Sequence, residues 1–253
     1  MKKYLERAEV LSNEAVIPVV WKMLLHAPQI AAEVQPGQFV AVRKEGSAHF
    51  LRRPFSVADA DPKEGTLTLL YRIVGKGTAE MTGMKAGGSM SVEGPLGHGF
   101  STAPGKALLV GGGVGIAPLI FLARSLEKPV LLIGGKTAEE VFWKRFLEPY
   151  AEKVYITTDD GSVGIKGFTV QALPKIFAEN RFDRVATCGP MIMMEGIARA
   201  AGEQKLACEV SMEKRMACGI GVCLGCTFES KKDGRRYKVC ADGPVFAAEE
   251  VFG

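Results

Sequence analysis

A chain of 253 residues is long enough for two modest domains with their own cores and a small appendage, and needs no disulfides to fold. Hydrophobic residues make up 47% and charged residues 24%, which excludes a disordered chain. The net charge of +4 is spread over 32 basic and 28 acidic residues without a long basic run, which argues against nucleic acid as the main partner.

The opening MKKYLERAEV is too charged to lead into a signal peptide, so secretion is not expected and the cytoplasm is. Up to about residue 102, β-rich runs such as GQFVAVR, PFSVADA and TLTLLYRIV alternate with turn residues, as in a small antiparallel barrel or sandwich. From Lys106 the rhythm changes. KALLVGGGVG, a helix over PLIFLARSLE, PVLLIGGK, a helix near AEEVFWKRFLEPYA, KVYITTDDG, a helix near VQALPKIF and DRVATCG describe a parallel sheet of βαβ units. Beyond about Lys205 that alternation is expected to stop. The longest uncharged stretch, Ala107 to Ala123, contains four glycines and a proline and reads as strand, loop and helix, not as a membrane span.

Within the β region, Arg52-Arg53-Pro54-Phe55-Ser56 sets guanidinium and hydroxyl groups at the start of a strand, which suits a pyrophosphate. Leu70-Tyr71-Arg72-Ile73-Val74 is a strand followed by Gly75-Lys76-Gly77-Thr78, whose bare amides and hydroxyl suit phosphate oxygens. Gly94-Pro95-Leu96-Gly97 reads as a tight turn. Singly, each of these is as well explained by an ordinary strand end; their order is the signal.

In the α/β region, Leu108-Leu109-Val110 runs into Gly111-Gly112-Gly113-Val114-Gly115, with Pro118 in the first turn of the next helix. A dinucleotide pyrophosphate suits that turn, although the pattern departs from strict G-x-G-x-x-G. Asp159 and Asp160 end another strand, where two carboxylates would repel a 2′-phosphate and favour NAD over NADP. An ordinary Asp-Gly turn is the plainer alternative. Cys188-Gly189-Pro190 ends the last expected strand, at the carboxyl edge where parallel sheets bind ligands. Cys208 has no motif and reads as core.

Four of the six cysteines follow residue 217, and in a cytosolic chain such clustering suggests metal ligation before disulfides. Cys218, Cys223 and Cys226 form C-x4-C-x2-C, with Cys240 13 intervening residues later, the plant-type [2Fe–2S] spacing. Glycine fills half of the intervening loop positions, as a backbone wrapping closely around sulfurs requires. A structural zinc site and buried free thiols remain alternatives, but zinc knuckles usually pair two C-x2-C units and only one is present.

In this order, RPFS, YR, GT, GPLG, GGGVG, CGP and the tail resemble the ferredoxin-NADP reductase superfamily extended by a C-terminal [2Fe–2S] module, over nearly the whole chain. The stretches from Met216 to Cys226 and from Val239 to Phe246 resemble the electron-transfer subunits of class 1B dihydroorotate dehydrogenases. The resemblance implies an N-terminal antiparallel β-barrel over residues 1–102 that binds FAD through Arg53, Pro54, Phe55, Ser56, Leu70, Tyr71, Arg72, Gly77 and Thr78. It implies a parallel-sheet α/β domain for NAD over 103–207 and a [2Fe–2S] module over 208–253 with Cys218, Cys223, Cys226 and Cys240 as ligands. It also implies an NAD-linked oxidoreductase subunit of pyrimidine biosynthesis, paired with an FMN-containing catalytic subunit that oxidises dihydroorotate, with two of each chain. Alone, the chain would show only diaphorase activity. Cys188 is the candidate for lining the nicotinamide pocket; no side chain is named as acid or base, because His26, His49 and His98 form no recognisable constellation. Subunits of ferredoxin-NADP oxidoreductase complexes and of cytoplasmic hydrogenases carry the same cofactors and are the nearest alternative. A non-catalytic NAD-sensing redox or zinc module is a more distant one.

Overall fold

Alternation of inward and outward residues organises the N-terminal strands, and Tyr4–Ile17 (β1) sets the pattern by burying Glu6, Ala8 and Val10. We describe the protein from a computed structural model covering residues 2–253. After β1 come Val20–His26 (β2), the short helix Pro28–Glu33 (α1), Phe39–Lys44 (β3), Arg53–Asp61 (β4) and Thr66–Arg72 (β5). Lys76–Thr82 (α2) and Ser89–Leu96 (β6) complete a closed barrel of strand order β1-β2-β5-β4-β3-β6. Closure pairs β1 with β6 and leaves no free edge. Met23, Leu25, Leu67, Leu69, Met90 and Leu96 are fully buried in this unit.

Gly94-Pro95-Leu96 is not the turn expected from sequence. β6 continues through Leu96 because it is laddered on both sides, Tyr4 facing Gly94 and Phe39 facing Leu96. The reversal begins only at Gly97, whose φ is +72°.

The second half is a sheet of order β10-β9-β8-β7-β11-β12-β15, parallel except at its last strand. Its elements in chain order are Ala107–Gly112 (β7), Ala117–Ser125 (α3), Val130–Gly135 (β8), Lys144–Leu147 (α4), Lys153–Thr158 (β9) and Ile165–Lys166 (β10). Thr169–Glu179 (α5), Arg184–Cys188 (β11), Met191–Glu203 (α6) and Ala207–Ser211 (β12) follow. In the tail, Thr227–Glu229 (β13) and Arg236–Lys238 (β14) form a two-stranded sheet, and Val245–Ala247 (β15) pairs antiparallel with β12 before Ala248–Phe252 (α7).

Two expectations are corrected here. The single helix near residues 138–151 is broken into a 3₁₀ turn at Ala138–Val141, the four-residue α4 and a 3₁₀ turn at Glu148–Tyr150. Trp143 is driven into the core at 1% exposure, and Pro149 cannot donate a helical hydrogen bond. The alternation also does not stop at the Cys188 strand: α6 and β12 add a further unit, parallel to β11. Cys208, expected in the core, is a buried residue of β12.

The chain divides into two compact units. The first runs to Gly99 and takes in Glu213–Phe228 and Lys238–Pro244; the second comprises Phe100–Met212, Glu229–Tyr237 and Val245–Gly253. Among the described residues no helix is long and apolar enough to cross a membrane.

Glu6 ties the barrel to α1, its Oε1 accepting the Ile30 amide at 3.0 Å. Burial raises its carboxyl pKa above the ordinary value, outweighing that hydrogen bond. The folded chain therefore holds this proton more tightly than the unfolded one, and the stability it carries falls as pH rises through the folded pKa. Glu6→Gln should show a Tm that gains on wild type as pH is raised from about 4 to about 8. A thermal-unfolding difference independent of pH would contradict this.

Candidate functional site

In the barrel, the residues Arg53 to Ser56 open β4 and pair with β3, Ala41 facing Pro54 and Val42 facing Arg53. Arg53 lies against the start of α2, its guanidinium filling the space that a Cβ on Gly77 would take. Arg53 also donates to the Leu51 carbonyl. Arg52 is used differently. Its guanidinium donates to the carbonyls of Ala41 at 3.3 Å and Ser91 at 3.0 Å and to Ser91 Oγ at 2.9 Å, and it faces Glu93 at 3.4 Å. It thus bonds to both β3 and β6 and leaves Arg53 as the arginine of this motif facing Gly77.

Phe55 lies 5.7 Å from the Tyr71 ring. Leu70 and Tyr71 are buried, while Arg72 is exposed. The Tyr71 hydroxyl donates to Asn13 Oδ1 at 2.9 Å, and burial pushes its pKa up to about 12. Asn13 in turn donates to the carbonyls of Met81 at 2.9 Å and Met84 at 3.1 Å, fixing the end of α2. Thr78 Oγ1 accepts from the amides of Val74 and Gly75 and donates to the Gly75 carbonyl, so its hydroxyl folds its own loop. Nothing in the sequence pattern marks Asn13, 58 residues from Tyr71, as part of this support.

The four tail cysteines belong to the same unit as the barrel. Cys226 and Cys240 are buried, Cys218 is half-buried and Cys223 is exposed. Backbone amides point at the sulfurs: Gly221 to Cys240 at 3.1 Å, Cys223 to Cys218 at 3.4 Å and Cys240 to Cys226 at 3.4 Å. Positive φ at Gly219, Gly221 and Leu224 bends the loop within which the Gly221 and Cys223 amides make these bonds. Burial opposes ionisation of Cys218, yet the amides of Cys223, Ile220 and Val222 bring its thiol down to about 6. Burial, then the Cys226 thiol, pushes Cys240 up to about 12. Sulfurs that receive amide hydrogen bonds suit thiolate ligands of an iron–sulfur cluster. Among the described residues no three His, Cys, Asp or Glu side chains form a ready single-ion site.

In the second unit, the expected nucleotide residues share the carboxyl edge of the sheet. Cys188 is in register with Gly111, Gly112 with Gly134, and Gly135 with Thr158. A Cβ on Gly115 would lie 2.7 Å from the Gly189 backbone, so the glycine turn and the Cys188-Gly189-Pro190 segment touch main chain to main chain. Beside Gly113, at φ +59°, the space is open. Cys188 is 2% exposed, with its thiol towards the Ser211 carbonyl at 3.5 Å. Met193, absent from the sequence expectations, packs its thioether against both Gly112 and Gly189; the Met-rich run after CGP was its only signal. Asp159 and Asp160 are exposed just beyond β9. Asp160 Oδ1 accepts from the Ser162 amide at 2.9 Å and hydroxyl at 2.6 Å, and these bonds hold its carboxyl pKa below the ordinary value.

Residues 213–252 match the family described as the iron-sulfur cluster binding domain of dihydroorotate dehydrogenase B, and residues 4–100 match the oxidoreductase FAD-binding domain. The chain is similar to the dihydroorotate dehydrogenase B (NAD(+)) electron transfer subunit of Fusobacterium nucleatum, at 39% identity over 98% of each chain. It is similar to the subunit of that name from Caldanaerobacter subterraneus at 40% identity over 97% of each. Among solved structures, an NADH-dependent reduced ferredoxin-NADP oxidoreductase studied for flavin-based electron bifurcation superposes with TM-score 0.86 and 33% identity, covering 96% of this chain and 88% of that one. A ferredoxin NADP+ reductase from Neisseria gonorrhoeae shares the fold at TM-score 0.65 and 18% identity, over 79% of this chain and 91% of that one.

The close approach at Gly115 yields a test. Because the obstructing atoms are backbone, Gly115→Ala should cost about 1–3 kcal/mol of stability in denaturant unfolding. A neutral substitution would contradict the contact.

Proposed function

Because the chain belongs to the family of dihydroorotate dehydrogenase B (NAD(+)) electron transfer subunits, we propose that it relays electrons from the FMN of a catalytic partner subunit to NAD+. When bound, a [2Fe–2S] cluster supplies one-electron transfer and FAD supplies the junction between one-electron carriers and two-electron hydride transfer to NAD+. The chain's own part is to hold, orient and insulate these groups. The observation that carries the reading is the grouping of four cysteines, three of their sulfurs receiving backbone amides, in the same unit as the Arg53–Gly77 contact.

In this reading Cys218, Cys223, Cys226 and Cys240 ligate the cluster. Arg53 to Ser56, Leu70 to Arg72, Gly77 and Thr78 bind FAD, with the Arg53 guanidinium on the diphosphate. Gly111, Gly112, Gly113 and Gly115 receive the NAD pyrophosphate, and Gly189 and Pro190 follow Cys188 along the nicotinamide side. Asp159 and Asp160 bind the ribose hydroxyls and reject a 2′-phosphate. Side-chain acid or base catalysis is not part of the mechanism, since positioning suffices for hydride and electron transfer.

Ile220, Val222 and Leu224 are 40%, 75% and 63% exposed on the cysteine loop. Three exposed apolar side chains in one short loop suit a docking surface for the FMN-bearing subunit, in an assembly of two copies of each chain. The cytoplasm is the compartment proposed for that assembly. A second reading makes the chain a diaphorase subunit of a ferredoxin-NADP oxidoreductase complex or a hydrogenase; the likeness to the electron-bifurcating oxidoreductase favours it. The identity of the reductant separates the two.

Replacing the exposed Cys223 by Ser should lower iron and acid-labile sulfide while leaving FAD content intact and NADH-to-dye reduction within about twofold of wild type. Loss of flavin together with iron from a folded chain would contradict separate sites, and zinc in wild type would contradict the cluster. Exchanging Asp159 and Asp160 for Ser and Arg should narrow the NADH-over-NADPH ratio of kcat/KM by about tenfold or more. Wild type using NADPH as well as NADH would show that these carboxylates do not select the nucleotide.

A further inference from the structure

Residues 45–52 connect β3 to β4 and approach α2, whose Gly77 and Glu80, three positions apart, share one helix face. Both oxygens of Glu80 are occupied by that connection or the residue preceding it: Lys44 Nζ donates to Oε1 at 3.2 Å and Ser47 Oγ donates to Oε2 at 2.6 Å. Ser47 Oγ in turn accepts the His49 amide at 3.0 Å. The connection is thus folded on itself and fastened to α2 by a single carboxylate. A crevice with room for about one water lies among these residues, lined by Arg43, Lys44, His49, Arg53, Gly77 and Glu80 among others, so a larger anion would rest on its rim.

The charge pattern of these walls is lopsided. Lys44 offsets the charge of Glu80, which leaves the guanidiniums of Arg43 and Arg53, so the walls as a whole favour an anion. A carboxylate beside a phosphate site is otherwise unfavourable; here its role is mechanical.

We propose that Glu80 is a positioning residue that latches residues 45–52 over α2, and that the latch presents His49 beside Arg53 as a further contact to the diphosphate of FAD. The inference rests on the proposed FAD site and adds residues to it. Glu80 acts through Ser47 and Lys44, and His49 touches the cofactor.

FAD titrated into flavin-free protein, followed by quenching of flavin fluorescence, tests it. Glu80→Gln should weaken FAD binding about tenfold, and Ser47→Ala and His49→Gln about threefold or more, because each removes one part of the latch or the contact it presents. Glu80→Gln combined with Ser47→Ala should be no weaker than Glu80→Gln alone, since both act through one latch. Iron content and thermal unfolding of the flavin-free chain should match wild type, which a merely structural role would not allow. Wild type that binds no FAD would overturn the proposed function itself. Wild type that binds FAD, with variants of equal affinity or with additive losses, would overturn this inference alone. Should Glu80→Gln fail to fold, unchanged affinity in both Ser47→Ala and His49→Gln would suffice to reject it.

Discussion

At Gly97 the barrel meets the cysteine tail so closely that a Cβ would overlap the Gly243 carbonyl, and this main-chain contact is the constraint on which the rest depends. The His98 amide donates to that same carbonyl at 2.5 Å. A second contact lies close by, where a Cβ on Gly219 would sit 3.6 Å from Leu96 and 3.7 Å from Ala41. Leu96 and Ala41 belong to β6 and β3, and Ala41 is the strand partner of Pro54 in the RPFS segment. Neighbouring strands lie about 4.8 Å apart, so the cysteine loop is anchored one strand from the residues assigned to FAD. Electron relay between two bound groups requires such fixed proximity, and glycine provides it by letting backbones touch.

The cysteine loop also divides chemically. Cys226 and Cys240 are buried and Cys240 resists ionisation, whereas Cys218 ionises readily under the amides of its own loop. Ligation by iron would remove these protons, and the amide hydrogen bonds would favour that deprotonated form. Cys223, with Val222 and Leu224 beside it, lies at the exposed side of the loop. Burial encloses one pair of cysteines, while the other side of the loop is open to solvent.

Local chemistry was legible in the sequence and long-range packing was not. The spacing of Cys218, Cys223, Cys226 and Cys240 has few other uses, and the glycine run after Val110 does begin a helix through a 3₁₀ turn. Where the expected and observed strands differ, strand pairing is the cause. Gly94-Pro95-Leu96 has turn composition but is held in β6 by two ladders. The β12 sequence ACEVS carries Glu209, whose carboxylate accepts the Ser101 amide at 3.1 Å, and its polarity concealed the strand. Arg52 and Arg53 are adjacent and identical, yet one bridges β-strands and the other faces Gly77; only register separates their roles.

On the proposed reading, electrons enter this chain from a separate FMN-bearing subunit and leave as NADH. Its most direct test is reconstitution: this chain, loaded with FAD and cluster, is mixed with a purified FMN-containing dihydroorotate dehydrogenase subunit, dihydroorotate and NAD+, while orotate absorbance and NADH fluorescence are followed together. This chain alone should not turn over dihydroorotate, and orotate and NADH should form in equal amounts once the partner is added. Turnover by the chain alone, or orotate without NADH in the presence of the cognate partner, would contradict it.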